Sequence, residues 1–152
     1  MTDAVHTQLV VFAADPHALA RFWAAALGYV LEDNEALIAQ VLAAGYATEA
    51  DTVVIDGRRF WSEAVAIRHP DDAVGRASPR GPGIRILFEL APTRKVDDNR
   101  FHLDLNVGHD RIDEETQRVM ALGATLLEER RDPPKAVFNR LTDPEGNELC
   151  IQ

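Results

Sequence analysis

The stretch Arg100-Phe101-His102-Leu103-Asp104-Leu105-Asn106-Val107 alternates strictly between apolar and polar side chains. Phe101, Leu103, Leu105 and Val107 fall on one side, and His102, Asp104 and Asn106 on the other. A period of two is the signature of a strand with one buried face. Surface strands usually show water a mixture of Thr, Lys and Glu. This one sets an imidazole, a carboxylate and an amide in a row, as a metal or small-molecule site requires. The same row also fits a solvated sheet face with His102 simply hydrogen-bonded.

On either side of this strand the chain writes one element order twice. In the first half, a β-branched run over residues 6–13 predicts a strand with His6, Gln8, Val10 and Phe12 on one face. Asp15-Pro16 opens a helix, because Asp caps well and Pro is tolerated at the first helical position. Ala18, Leu19, Phe22, Trp23, Ala26 and Leu27 recur at helical spacing, and Gly28 ends the helix. Phe22 and Trp23 are expected to be core anchors. A second helix is expected over 34–44, capped by Asn34 and stopped by Gly45. Strands are expected over 52–55 and 60–67 around Asp56-Gly57, a strong hairpin signal. Residues 69–83 lack periodicity and read as a long mobile loop at a pocket mouth. A strand over 84–90 follows, with Arg85, Leu87 and Glu89 on its less apolar face.

In the second half the opening strand leads to a helix over 112–122, ended by Gly123. Strands are expected over 125–128, 137–142 and 148–151, the last after the turn Asp143-Pro144-Glu145-Gly146-Asn147. Ala26-Leu27-Gly28 and Ala121-Leu122-Gly123 end the two main helices alike. The plan is a strand, a helix and about three strands, repeated, with extra material in the first copy.

Bulk properties set the frame for function. A chain of 152 residues, 46% hydrophobic and 27% charged, suits one domain with a real core or two small fused modules. A net charge of -9 argues against a nucleic-acid partner. Residues 1–57 contain one basic residue, Arg21, against eight acids, so much of the negative excess sits there. Cys150 is the lone cysteine, so no intrachain disulfide forms, which fits a reducing compartment. No leader-like or membrane-spanning run stands out, and a soluble cytoplasmic protein is expected. Neither serine, Ser62 or Ser78, sits in a nucleophile elbow. Gly81-Pro82-Gly83 is no phosphate loop, because Pro82 removes an amide donor.

Four pieces in this order resemble the vicinal oxygen chelate superfamily in its glyoxalase-like branch, which includes the bleomycin-resistance and dioxygenase proteins. They are Ala14-Asp15-Pro16 with Ala20-Arg21-Phe22-Trp23 and Leu27-Gly28; Leu87-Phe88-Glu89; Phe101-His102-Leu103-Asp104-Leu105; and Leu122-Gly123-Ala124 with Asp143-Pro144-Glu145-Gly146-Asn147-Glu148. The resemblance implies an α+β fold: paired βαβββ modules, about 4–92 and 100–152, forming an open cupped mixed sheet with helices on its outer face. It also implies a homodimer.

In metal-dependent members of that superfamily each module gives two ligands. The resemblance carries these onto Gln8, Glu89 and His102, with His6 as the alternative to Gln8. At the fourth position, four residues after the turn glycine, the chain has Cys150 where relatives have a carboxylate; Glu148 lies two residues earlier on the same face. Imidazole, carboxylate and amide ligands suit one divalent ion such as Zn, Ni, Mn or Fe. Three ligands suffice for a catalytic metal. The missing carboxylate removes a ligand and a candidate base together, so glyoxalase I activity itself is not expected. Two functions remain open. One is a metal-dependent lyase, isomerase or dioxygenase acting on a small oxygenated substrate, with Glu89 as ligand or base. The other is a metal-free binding protein of the bleomycin-resistance type, its cupped sheet holding a drug or metabolite.

Overall fold

A computed structural model describes residues 8–74, 84–91, 93, 95–97, 102–133 and 136–152. The first strand, β1 (Gln8–Ala13), runs into helix α1 (Pro16–Leu27). The Asp15 side chain accepts from the Ala18 amide at 2.9 Å, and Gly28 closes the helix in the left-handed region at φ 69°. Both caps are the expected ones. Strand β2 (Val30–Leu31), helix α2 (Glu35–Ala43), a 3-10 turn (Glu49–Asp51) and strands β3 (Thr52–Ile55), β4 (Arg58–Trp61), β5 (Ala64–Arg68) and β6 (Arg85–Leu90) follow. The second half supplies β7 (Leu103–Leu105), α3 (Ile112–Ala121), β8 (Thr125–Asp132), β9 (Ala136–Thr142) and β10 (Glu148–Ile151).

The repeat is visible in the strand order. One sheet runs β1-β6-β5-β2 and the other β7-β10-β9-β8. In each, the module's first strand pairs in parallel with its last, and the remaining neighbours are antiparallel. This is the paired βαβββ arrangement expected from the sequence, in mixed open sheets. The extra material of the first copy is α2, the 3-10 turn and the separate hairpin β3-β4.

Three local expectations need correction. The span 60–67 is two strands in different sheets, because Ser62 and Glu63 turn the chain between β4 and β5. His17 Nε2 lies 3.0 Å from the Trp61 carbonyl and its ring meets Phe60 edge-on, which ties the hairpin to α1. At the start of α2, Asn34 makes no side-chain cap; Asp33 accepts from the Glu35 amide instead. Strand β8 runs to Asp132, past the expected end. The 69–83 loop lies outside the described residues from residue 75 onward, as do His6 and Phe101.

Register sorts the faces. Gln8, Val10 and Phe12 sit alongside Arg85, Leu87 and Glu89 on the face turned away from α1. Ile86, Phe88, Val65 and Ile67 pack under α1 with Leu19, Ala20, Phe22 and Trp23. In the second sheet, Leu103, Leu105, Leu149 and Ile151 face the core with Ile112 and Val119 of α3. The opposite face of that sheet is open.

The modules are joined at the two ends of α1. Both Glu145 carboxylate oxygens accept from the chain entering the helix, from Ala14 N at 2.8 Å and Asp15 N at 2.9 Å. At the other end Arg118 of α3 donates to the carbonyls of Ala25 and Ala26 at 3.0 and 2.7 Å. An anion at the N-terminus and a cation at the C-terminus match the helix dipole. Midway, the Trp23 indole donates to the buried Asp143 carboxylate at 2.9 Å. Trp23→Phe should remove that bond while keeping an aromatic core residue. We expect a stability loss of about 1–3 kcal/mol in denaturant unfolding, the cost of leaving a buried acceptor short of a partner.

Candidate functional site

The edge strand β1 of one sheet and, in the other module, the starts of the neighbouring strands β7 and β10 frame a cleft of about 820 Å³. Its walls are apolar, including Leu9, Val11, Phe12, Ile86, Phe88 and Leu90. Trp23 also lines it, so this residue is both the core anchor expected from sequence and a cleft wall. The polar end is made by His102, Asn147 and Glu148, with Lys95 at another margin.

His102 also belongs to the open face of the second sheet. Its Nε2 stands 3.1 Å from Asp104 Oδ1, and both side chains are about half exposed. Cys150 lies opposite Asp104 in the parallel pairing of β7 and β10. The ligating atoms of His102, Asp104 and Cys150 all fall within 4.8 Å of one another. The other Asp104 oxygen accepts from Gln152 Nε2 at 2.9 Å, which also reaches Asn106 at 3.2 Å. The row that opened the sequence reading is thus one connected polar surface. Across the sheet, Arg140 stands between Glu128 at 3.3 Å and Glu148 at 3.6 Å.

Burial pushes the Cys150 thiol up from its ordinary range, and the Asp104 carboxylate adds to the push. Arg140 opposes it, while Glu148 and Glu128 reinforce it. The free thiol is therefore protonated at neutral pH. The donor set fits a divalent ion: one imidazole, one carboxylate and one sulfur on adjacent strands, with two of the three open to solvent.

The first module's candidates lie in a different setting. Gln8 Oε1 accepts from Arg85 Nη1 at 2.8 Å. Arg85 in turn grips Glu32 with two hydrogen bonds, 3.0 and 2.6 Å, and the Glu32 side chain is fully buried. Glu89 lies opposite Phe12 in register, on the same face as Gln8, beside the cleft residues Phe88 and Leu90. Neither Gln8 nor Glu89 is among the described residues that line the cleft. His102 and Glu148 come together there, and His102 and Cys150 come together with Asp104.

Asp104 was within reach of sequence reasoning, since alternation already put it beside His102. The resemblance takes one donor from each strand and so passed over it. The Glu32–Arg85 pair carried no sequence signal, because Glu32 reads as an ordinary loop acid.

The protonated thiol has a direct consequence. Iodoacetamide should modify Cys150 in the folded protein at pH 7–8 much more slowly than a small free thiol, and the rate should rise on unfolding in urea. Mass spectrometry over a time course measures both.

A family model for glyoxalase-like domains matches residues 52–152. No curated protein matches the chain in sequence. Among solved structures, a glyoxalase/bleomycin resistance protein/dioxygenase family enzyme from Burkholderia phytofirmans PsJN superposes with a TM-score of 0.60 at 15% identity, covering 97% of each chain. The fosfomycin resistance protein FosX from Mesorhizobium loti gives 0.56 at 10% identity, over 99% of this chain and 92% of that one. A variant of FosX from Listeria monocytogenes, complexed with Mn(II) and 1S,2S-dihydroxypropylphosphonic acid, gives 0.58 at 12% identity, over 100% of this chain and 90% of that one. At such identities the structural likeness is one of fold. Together with the matched family model and the doubled βαβββ topology, it makes this chain a member of the glyoxalase-like domain family, within the vicinal oxygen chelate superfamily.

Proposed function

We propose that this chain is a divalent-metal-dependent lyase, isomerase or dioxygenase acting on a small oxygenated organic molecule held in the inter-module cleft. The observation that carries the reading is the double membership of His102. It lines the polar end of an apolar cleft and also belongs to a close cluster of metal-type donors. A cation there would polarise a substrate oxygen, while the apolar walls hold the carbon skeleton and keep water out. In this reading His102 is the anchoring ligand, and the resemblance gives Glu89 the role of ligand or base. Gln8 and Glu89 complete the ligand set implied by the resemblance, with His6, Glu148 and Cys150 as alternatives. The FosX relative bound to Mn(II) and a small phosphonic acid supports such use of this fold.

A second reading, a metal-free binding protein for a drug or metabolite, is favoured by two observations. The cleft walls are mainly apolar, and the Gln8 amide oxygen is already engaged by Arg85. The two readings part on one experiment. Tag-free protein is dialysed against Zn, Ni, Mn and Fe, and bound metal is counted by elemental analysis. The metal reading expects one ion per site in wild type and loss of that ion in His102→Ala. The fold should survive, because His102 is half exposed and surface changes cost within about 0.5 kcal/mol. No stoichiometric uptake of any of the four leaves the binding-protein reading.

In either case the working form is proposed to be a homodimer. The resemblance that implies the paired modules also implies this pairing of chains. Light scattering should therefore give about twice 16.8 kDa at micromolar concentration. A monomer mass would remove the dimer.

A further inference from the structure

We propose that the second module holds a borderline-soft divalent cation, zinc or cobalt in preference to manganese or magnesium, by itself: through His102 Nε2, an Asp104 carboxylate oxygen and the Cys150 sulfur. This rests on the reading above that His102 is a cation ligand. It differs in taking every protein donor from the second module: His102 just before β7, Asp104 on β7 and Cys150 on β10.

Geometry is the first support. The three ligating atoms already lie within 4.8 Å of one another. Around a tetrahedral ion with bonds of about 2.0–2.3 Å, donors stand roughly 3.3–3.8 Å apart, so small side-chain rotations close the set. Cys150 and Asp104 are register partners on hydrogen-bonded strands, and His102 directly precedes β7.

The second support is orientation. Gln152 Nε2 holds one Asp104 oxygen at 2.9 Å and leaves the other turned toward His102. Outer partners of this kind commonly fix carboxylate and imidazole ligands at metal centres. Gln152 is itself pinned, since its amide donates to the Leu105 carbonyl at 3.0 Å and its carbonyl accepts from Val107 at 2.7 Å.

Access and competition point the same way. His102 and Asp104 are half exposed and Cys150 lies buried beneath them, so an ion enters from the open face and keeps a free coordination position there. Among the described residues Arg140 is a nearby cation, and it is occupied by Glu128 and Glu148. In the first module, by contrast, the Gln8 carbonyl oxygen is spent on Arg85, and Arg85 on the buried Glu32. Sulfur in the set is what selects the ion, because thiolate suits zinc and cobalt while manganese and magnesium prefer oxygen. As the metal–sulfur bond forms, the thiol proton leaves to solvent.

The test is a Co(II) titration of the tag-free full chain followed by absorption, with Zn(II) competition. Wild type should bind one Co(II) with a thiolate-to-cobalt charge-transfer band in the near ultraviolet and tetrahedral-type visible bands. Cys150→Ser should lose the charge-transfer band. It should also lower zinc affinity by more than the roughly 10–100-fold expected for losing an outer partner such as Gln152. Asp104→Asn, at a half-exposed position, should weaken zinc binding with the fold intact. Glu114→Gln, at an exposed position on α3, should leave the cobalt spectrum and zinc affinity as they were. If Cys150→Ser keeps spectrum and affinity while Glu89→Gln loses them, the ion spans both modules. The one-module donor set is then overturned, though His102 still stands as a ligand. If wild type takes up neither cobalt nor zinc, the inference is overturned and, should manganese, nickel and iron fail too, the metal reading falls with it.

Discussion

The structure depends on the grip that the second module takes on helix α1 of the first. Glu145 meets the incoming N-terminal amides, Arg118 meets the last carbonyls, and Asp143 takes the Trp23 indole between them. The charges complement the helix dipole at each end, so each contact favours one orientation of the helix. Asp143 is pinned in turn, since it also accepts from the amides of Glu145 and Asn147 and from the Asn147 side chain. The tight turn from Asp143 to Asn147 is therefore a clamp as well as a link between β9 and β10. Because Asn147 and Glu148 lead directly from that turn into the cleft wall, the element that joins the modules also positions one side of the site.

Duplication supplies two similar sheets, and the side chains make them unequal. The first module's open-side face is tied up internally by Glu32, Arg85 and Gln8. A buried pair of this kind holds only while both partners stay, since either charge alone would be stranded in a poorly solvated place. The second module's face has His102, Asp104 and Cys150 with donor capacity left over. The cleft between the modules is apolar where core residues of the first module reach its edge and polar where the second begins.

Much of the fold was legible because its signals are local. Asp15 and Gly28 bound α1 as their backbone chemistry requires, Asp56-Gly57 makes the β3-β4 turn with both residues at positive φ, and alternation assigned the faces of β7. The errors came where tertiary contacts decide. Residues 60–67 read as one apolar run, yet Trp61 belongs to the hairpin held by His17, and Ala64 begins a different sheet. Strand β2 has two residues, too few to show any period. At the site, His102 was visible as a polar exception on an apolar strand. That Gln8 is engaged by Arg85 depends on a buried acid from another strand connection, which no spacing in the sequence records. Asp104 was in plain view, but a donor set drawn one residue per strand leaves out its second neighbour on the same face.

The central claim is that the polar end of the cleft, on the second module, is a cation site. Its most direct measurement is anomalous diffraction at the zinc edge from crystals of tag-free protein grown with zinc. The account predicts a single strong peak per chain, bonded to His102, Asp104 and Cys150, with a free position facing the cleft or solvent. A peak bonded to Glu89 or Gln8 together with His102 would contradict the one-module site, and the absence of any peak within bonding distance of His102 would contradict the claim itself.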